Sequence, residues 1–317
     1  MRLMRQATFA GICAIVVGIV FGPAVCAHPA WGIVVSPAGD VYFSDLETVW
    51  RVDHRGRLSI VRPGVTGHHV HELAIDAEGN IYGPEYTYLS ESEGYTTGIW
   101  EMDASGRIHY QFRPTQHLPR GVSIWRDVDG SMYSVEEDNH LKRQTLLIKR
   151  ATNGKVSVFA GSEYGFNDGA GAHARFSNVV GIAFGPDRYL YITDSDSLRK
   201  VSAGGVVTTI AAHLNQFQPR SVNVLSFGSL MGVAVTASKT AYVADFRNRR
   251  VLKISANGAV SVVITEQPPW SPTGVAVSKD GELFVLEFGF RPPGTWIKPR
   301  VRKISPNGQN STIATVP

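Results

Sequence analysis

The chain has 317 residues, 43% of them hydrophobic and 18% charged, with a net charge of +4. It is long and apolar enough to bury a large core, and too weakly basic to imply a nucleic-acid or anionic-membrane partner. Its two cysteines, Cys13 and Cys26, both lie in the first 27 residues, so no disulfide framework supports the rest.

Residues 1–27 read as a signal peptide. Arg2 and Arg5 open it, residues 7–21 are almost wholly apolar, and Val25, Cys26 and Ala27 offer a small residue at the cut. The apolar run is too short and wrongly flanked for a membrane span. The expectation is a secreted or periplasmic protein of residues 28–317 with no transmembrane segment. A lipoprotein acylated at Cys26 is the alternative, disfavoured by the bulk of Val25.

From residue 32 onward one unit recurs six times: an apolar strand opening, a tight turn, an aromatic strand and an acid. The copies are GIVVSPAGDVYFSD from Gly32, ELAIDAEGNIYGPE from Glu72 and GVSIWRDVDGSMYSVE from Gly121. They continue as GIAFGPDRYLYITD from Gly181, GVAVTASKTAYVAD from Gly232 and GVAVSKDGELFVLE from Gly274. Only the second copy opens on a residue other than glycine. A third strand follows in each unit, as VWRV at Val49, IWEM at Ile99, LLIKR at Leu146, LRKV at Leu198, VLKI at Val251 and VRKI at Val301. A glycine turn and a fourth apolar strand close it. In the fifth unit the strands a to d are expected at 232–235, 241–244, 251–254 and 260–264. Six four-stranded antiparallel units, each burying its faces only against its neighbours, predict an all-β, six-bladed β-propeller.

The best copy, GVAVTASKTAYVADFRNRRVLKISANG from Gly232, resembles the NHL repeat family, and the resemblance covers essentially all of residues 28–317. It implies the fold and leaves activity open, since NHL-type propellers include enzymes, adhesive modules and RNA-binding domains. The last is disfavoured by the export signal and the weak charge. With strand a inside and strand d outside, closure is expected by packing of blade one on blade six.

Connection lengths give the propeller a polarity. The a–b and c–d turns share one face and are short. The long segments, 86–98, 137–145 and 288–299 between strands b and c, and 161–180 and 212–231 between d and a, share the other. Insertions confined to one face mark it as the binding face.

The segment GHHVHE from Gly67 enters blade two from that face. His69, His71 and Glu72 are imidazole and carboxylate groups suited to a divalent metal such as zinc, or to a polar ligand. Besides His68, His69 and His71, four further histidines (His117, His140, His173, His213) fall in predicted loops of the same face. The gluconolactonase/SMP-30-like propellers, which are distantly similar, hold a cation with acidic or amide residues at several strand-a openings. The residues just before the glycine position here are Trp31, His71, Arg120, Val180, Met231 and Thr273, which is not that set. The streptogramin-lyase-like propellers, also distantly similar, leave open an acid–base role: His71 as base, Glu72 as acid and Arg120 stabilising developing negative charge.

The acids ending each strand b, Asp45, Glu85, Glu136, Asp194, Asp245 and Glu287, recur in every unit and read as structural, capping the b–c turn or pairing with a strand-c base such as Arg250 or Lys200. Glu85 is kept as a candidate because it opens EYTYLSESEGYTTG, where Tyr86, Tyr88 and Tyr95 with Glu91 and Glu93 suit sugars or cationic ligands. In blade six, RPPGTWIKPR sets Trp296 among Arg291, Lys298 and Arg300 as a partner anchor. The GFNDGAGAHARF segment from Gly165 is no phosphate loop, and Phe176 is expected to wedge between blades. DVDGS at Asp127 lacks the remaining ligands of a calcium loop. Neither GxSxG nor HExxH occurs.

The leading expectation is a propeller that binds a small polar ligand, a carbohydrate or a protein partner on its long-loop face, centred on His69, His71, Glu72, Glu85 and Arg120. The alternative is a lyase or hydrolase in the channel mouth, with a divalent metal as its cofactor in one form.

Overall fold

In a computed structural model the chain is described at residues 29–90, 92–116, 121–137, 144–214, 230–291 and 295–317, without the side chains of 121–125 and 137. It is a six-bladed β-propeller of four-stranded antiparallel blades. Strands a to d are Ile33–Val35, Val41–Ser44, Val49–Val52 and Leu58–Arg62 in blade one. In blade five they are Leu230–Val235, Ala241–Asp245, Arg250–Ile254 and Val260–Thr265, close to the ranges expected from the repeat. The innermost strand of blade two is split into His68–His69 and Ala74–Ile75, both paired to Ile81–Ser90. Blade four gains Gly169–Ala170 outside Val206–Ala211.

The short turns are built alike. In every a–b and every c–d turn the first residue's N–H donates to the carbonyl of the fifth, and the fourth donates back to the first, as at Ser36–Asp40 and Ser305–Gln309. The fourth residue takes positive φ, which is why it is glycine in most copies. Arg188 (φ 61°) and Lys239 (φ 63°) adopt the same conformation against their intrinsic preference.

Near the start of strand a the blades touch through backbone. A Cβ on Gly32 would lie 2.7 Å from the amide N of Leu73, and one on Gly232 would lie 2.9 Å from the Cα of Gly274. Gly181 abuts the Met231 carbonyl and Gly274 the Trp31 carbonyl in the same way. Glycine is required there because the next blade's main chain occupies the space where a side chain would begin. At this level the a–b ladder slips by one residue, between Val179 and Ile182, Leu230 and Val233, and Pro272 and Gly274.

This slip corrects the reading of blade three. Gly121 pairs with Glu136 and Ile124 with Ser134, so Ser123, not Gly121, stands where the other blades have Gly181 or Gly232. Glu72 is therefore one of two departures from glycine, in adjacent blades. Val122, rather than Arg120, is the counterpart of His71. The DVDG turn, slightly extended in sequence, closes at 127–131 with the same two hydrogen bonds as the others, so the extra length of this copy lies within strand Gly121–Arg126.

Closure occurs without a shared sheet. Blade one and blade six remain separate, and Ala30, Ile33 and Phe43 pack with Leu286, Phe288 and Val301 in one core cluster. Phe176 is buried between blades three and four among Val135, Leu147 and Ile182. Two connections expected as loops are continuous ladders instead. In blade two the pairing runs out to Ser90 and Gly94, and in blade six to Arg291 and Thr295. Among the described residues no helix is long and apolar enough to cross a membrane.

Replacing Gly232 by Ala forces its Cβ against the blade-six backbone and should cost about 1–3 kcal/mol. Chemical denaturation reads this as a lowered midpoint at unchanged slope; an unchanged midpoint would show that the junction yields freely.

Candidate functional site

The interruption of strand a in blade two creates the site. Val70 leaves the strand-b ladder and bridges to Leu46 of blade one, donating its N–H to the Leu46 carbonyl at 2.6 Å while its own carbonyl accepts from Ser44 Oγ at 2.7 Å. The His71 carbonyl accepts from both Trp31 and Gly32 N–H groups at 2.8 Å. Blades one and two are thus stitched directly beside Glu72.

Above this stitch the side chains form an aromatic stack. The His71 imidazole lies between Trp31 (centroids 5.5 Å, 11° between planes) and Tyr86 (5.3 Å, 25°). His69 meets His71 edge-on at 5.7 Å. His71 and Glu72 are both buried. Burial lowers the His69 pKa, offset in part by Glu47. Burial, then the Glu72 carboxylate, pushes the Tyr86 phenol far up, keeping it a hydrogen-bonding hydroxyl.

Glu72 lines the axial channel. A cavity of about 240 Å³ is lined by residues in or just before strand a of blades one, two, four, five and six, including Trp31, Ile33, Leu73, Val233 and Val275, and Glu72 is its only ionisable lining residue among those described. Strand a is the edge strand of every blade, so its unpaired backbone groups add donors and acceptors to the wall. His71 does not line this space. His69, His71 and Glu72 are neighbours in one cluster, but among the described residues no three His, Cys, Asp or Glu side chains form a group able to hold a metal ion.

The other candidates separate from this cluster. Glu85 is buried on the opposite side of its strand, ion-paired to Arg62, 2.5 Å from His68 Nδ1, and accepting the Tyr110 hydroxyl at 2.9 Å. It is committed to joining blades one and two. Gly98 stands opposite it in strand c, so the base comes from the neighbouring blade. Trp296 packs against Phe246, Phe288 and Phe290. Tyr88 projects with Tyr95 on the blade-two hairpin. Arg120 lies outside the described residues, as do Glu91, His117 and His140.

The remaining strand-b acids are largely structural, as expected. Asp45 caps its turn through Glu47 and Thr48 N–H groups. Asp194 pairs with Arg199, not Lys200, and Asp245 pairs with Arg250, each at 2.8 Å. Glu287 accepts from Arg300 at 2.6 Å, and Arg300 and Arg302 share Glu266. Glu136 is half-buried, and burial raises its pKa. Trp31 belongs to the site and is not among the residues selected from sequence. Its signal was available, because it occupies in blade one the position His71 holds in blade two.

No sequence-family model and no curated protein matches the chain. Solved structures do. A luciferin-regenerating enzyme superposes with a TM-score of 0.59 at 14% identity, covering 87% of this chain and 91% of that one. A streptogramin B lyase gives 0.54 at 16% identity, covering 91% and 84%. A gluconolactonase from Xanthomonas campestris gives 0.53 at 14%, covering 84% and 85%. The likeness is one of fold. This chain shares the six-bladed architecture of several propeller enzymes.

The Glu287 carboxyl is pushed up from 4.5 to about 7 by burial first and then by Glu266, against the pull of Arg300 and Arg302. A carboxyl that binds its proton more tightly when folded contributes full stability below about pH 4.5, lost as pH rises through 7. Glu287→Gln mimics the protonated form. Its Tm should therefore gain on the wild type between pH 4.5 and 8, and parallel Tm profiles would remove Glu287 from the pH response.

Proposed function

We propose that the chain is an exported propeller that binds a small polar ligand on its axis, with Glu72 as the recognising carboxylate and Trp31, His71 and Tyr86 as the rigid support behind it. One observation carries the reading. Of the two blades that depart from glycine, blade two lines the axial cavity with Glu72, the only ionisable lining residue among those described. Backbone edges provide the remaining hydrogen-bonding groups, and aliphatic side chains exclude bulk water, the composition expected of a small-molecule site. The long-loop face supplies the approach, since the aromatic stack and the two extended hairpins stand there.

A second reading is favoured by the position of His71. An imidazole held between two rings beside a buried carboxylate is a fixed acid–base pair, and the structural neighbours named above are enzymes. In that reading a lyase or hydrolase acts at the channel mouth.

Thermal-shift screening of the purified protein against amino acids, amines, monosaccharides and lactones should find a ligand whose affinity falls at least about 10-fold in Glu72→Gln, as loss of a hydrogen bond to a charged group requires. A hit indifferent to that change would move the site elsewhere. Turnover of lactone, ester or cyclic depsipeptide substrates, abolished in His71→Ala, would select the enzyme reading.

Export has its own test. Expressed in a secreting host, the protein recovered outside the cytoplasm should begin at His28. Retention in the cytoplasm with Met1 intact would refute it, and a lipid-modified Cys26 at the N-terminus would select the lipoprotein.

A further inference from the structure

The blade-two hairpin does more than connect two strands. Beyond Glu85 both strands continue to the pair Ser90 and Gly94, and five more residues of strand b carry the ladder roughly 16 Å past the blade. Tyr88 and Tyr95 are directly opposite one another on this extension, with centroids 5.1 Å apart and planes tilted by 58°. They remain 50% and 43% exposed. Two adjacent tyrosines this exposed on a projecting ladder serve no packing purpose within the fold.

The extension is held rigid. Glu93 N–H donates to Ser90 Oγ at 3.1 Å, and Ser90 Oγ donates to Glu93 Oε2 at 3.0 Å. Gln116 Nε2, from the end of strand d, donates to the Glu93 carbonyl at 2.7 Å. A braced ladder presents its rings in one arrangement, so little ordering entropy is lost when something stacks on them.

Charge narrows the occupant. Residues 85–98, EYTYLSESEGYTTG, contain three glutamates and no Lys, Arg or His. Arg62 and His68, the cations at the base of the hairpin, are engaged by Glu85, so Glu91 and Glu93 leave the outer hairpin acidic and phosphate-bearing surfaces and acidic polymers would be repelled. Serine and threonine hydroxyls and the two phenols offer neutral hydrogen bonds around flat apolar faces. That combination matches the surface of a hexopyranose, whose C–H face stacks on aromatic rings while its hydroxyls bond at the rim.

We propose that the Tyr88–Tyr95 platform of the blade-two hairpin binds an uncharged polysaccharide chain. The platform lies on the same face as the axial site and stands without it. A polymer bound there would hold the propeller on an extended glycan, leaving the axis available to a small ligand.

Affinity electrophoresis in native gels containing hydroxyethylcellulose or laminarin tests this, with dextran sulfate gels and phosphatidylglycerol vesicles as controls. At least one neutral polymer should retard the wild type. The Tyr88→Ala, Tyr95→Ala double variant should lose at least about 10-fold in affinity, while the corresponding double Phe variant keeps it, because the ring face and not the hydroxyl makes the contact. Both rings are solvent-facing, so circular dichroism should show the variants folded. Four outcomes overturn the proposal: no retardation by either neutral polymer, retardation indifferent to the Ala pair, preference for dextran sulfate, or binding to the vesicles. Glu72→Gln should leave retardation unchanged, so failure at the axis and failure at the hairpin are read separately.

Discussion

Everything in this propeller is arranged around the close approach of backbones near its axis. At Gly32, Gly181, Gly232 and Gly274 the next blade's main chain fills the volume a Cβ would need. Four glycines therefore hold the junctions from blade four through five, six and one to blade two. Position 72 and position 123 carry Cβ atoms at the two junctions that remain, and they are consecutive. A ring with glycine at four junctions and larger residues at the other two is asymmetric by construction. The asymmetry places a carboxylate where a strictly repeating ring could hold none.

The same constraint explains why Glu72 is buried without being part of an ordinary core. Its chain neighbours are tied to blade one through main-chain hydrogen bonds from Trp31, Gly32 and Leu46, and strand a is interrupted between His69 and Ala74. Those bonds replace the missing ladder, so backbone groups that a continuous strand would have satisfied are still paired. The stack of Trp31, His71 and Tyr86 then covers the stitch. Position and orientation at Glu72 are set by backbone and by ring packing.

Much of this architecture was legible in the repeat, because turn chemistry and strand alternation are local. Every a–b turn, the Arg250 partner of Asp245, the wedge at Phe176 and the closure of blade six on blade one follow from patterns visible in the residues. What the pattern could not show is where ladder slips fall. Gly121 looks like the blade-three glycine, yet pairing with Glu136 puts Ser123 there, and that two-residue offset removes Arg120 from the register of His71. Glu85 shows the second kind of limit. Its exceptional place beside the histidines suggested a ligand role, but Arg62 reaches it from a strand 23 residues earlier. A partner from another blade leaves no trace in the local sequence. The two long hairpins show the third, since a loop and a projecting ladder differ in pairing and not in length.

The two faces of the molecule obey different rules, and this bears on where function resides. On one face the a–b and c–d turns all use the same pair of hydrogen bonds and the same positive-φ residue, and even Arg188 and Lys239 conform. A face built from one turn repeated without exception has no room for a specialised residue, because any insertion would break the hairpin that sets the register of its blade. The other face is free of this demand, since strand b and strand c stay in register however far their ladder extends. The hairpin of blade two uses that freedom to present tyrosines, and the hairpin of blade six uses it to pack Trp296 against Phe246, Phe288 and Phe290. Identical geometry thus yields an exposed aromatic surface in one blade and a structural clasp in another. The deciding difference is whether aromatic neighbours are within reach to bury the rings.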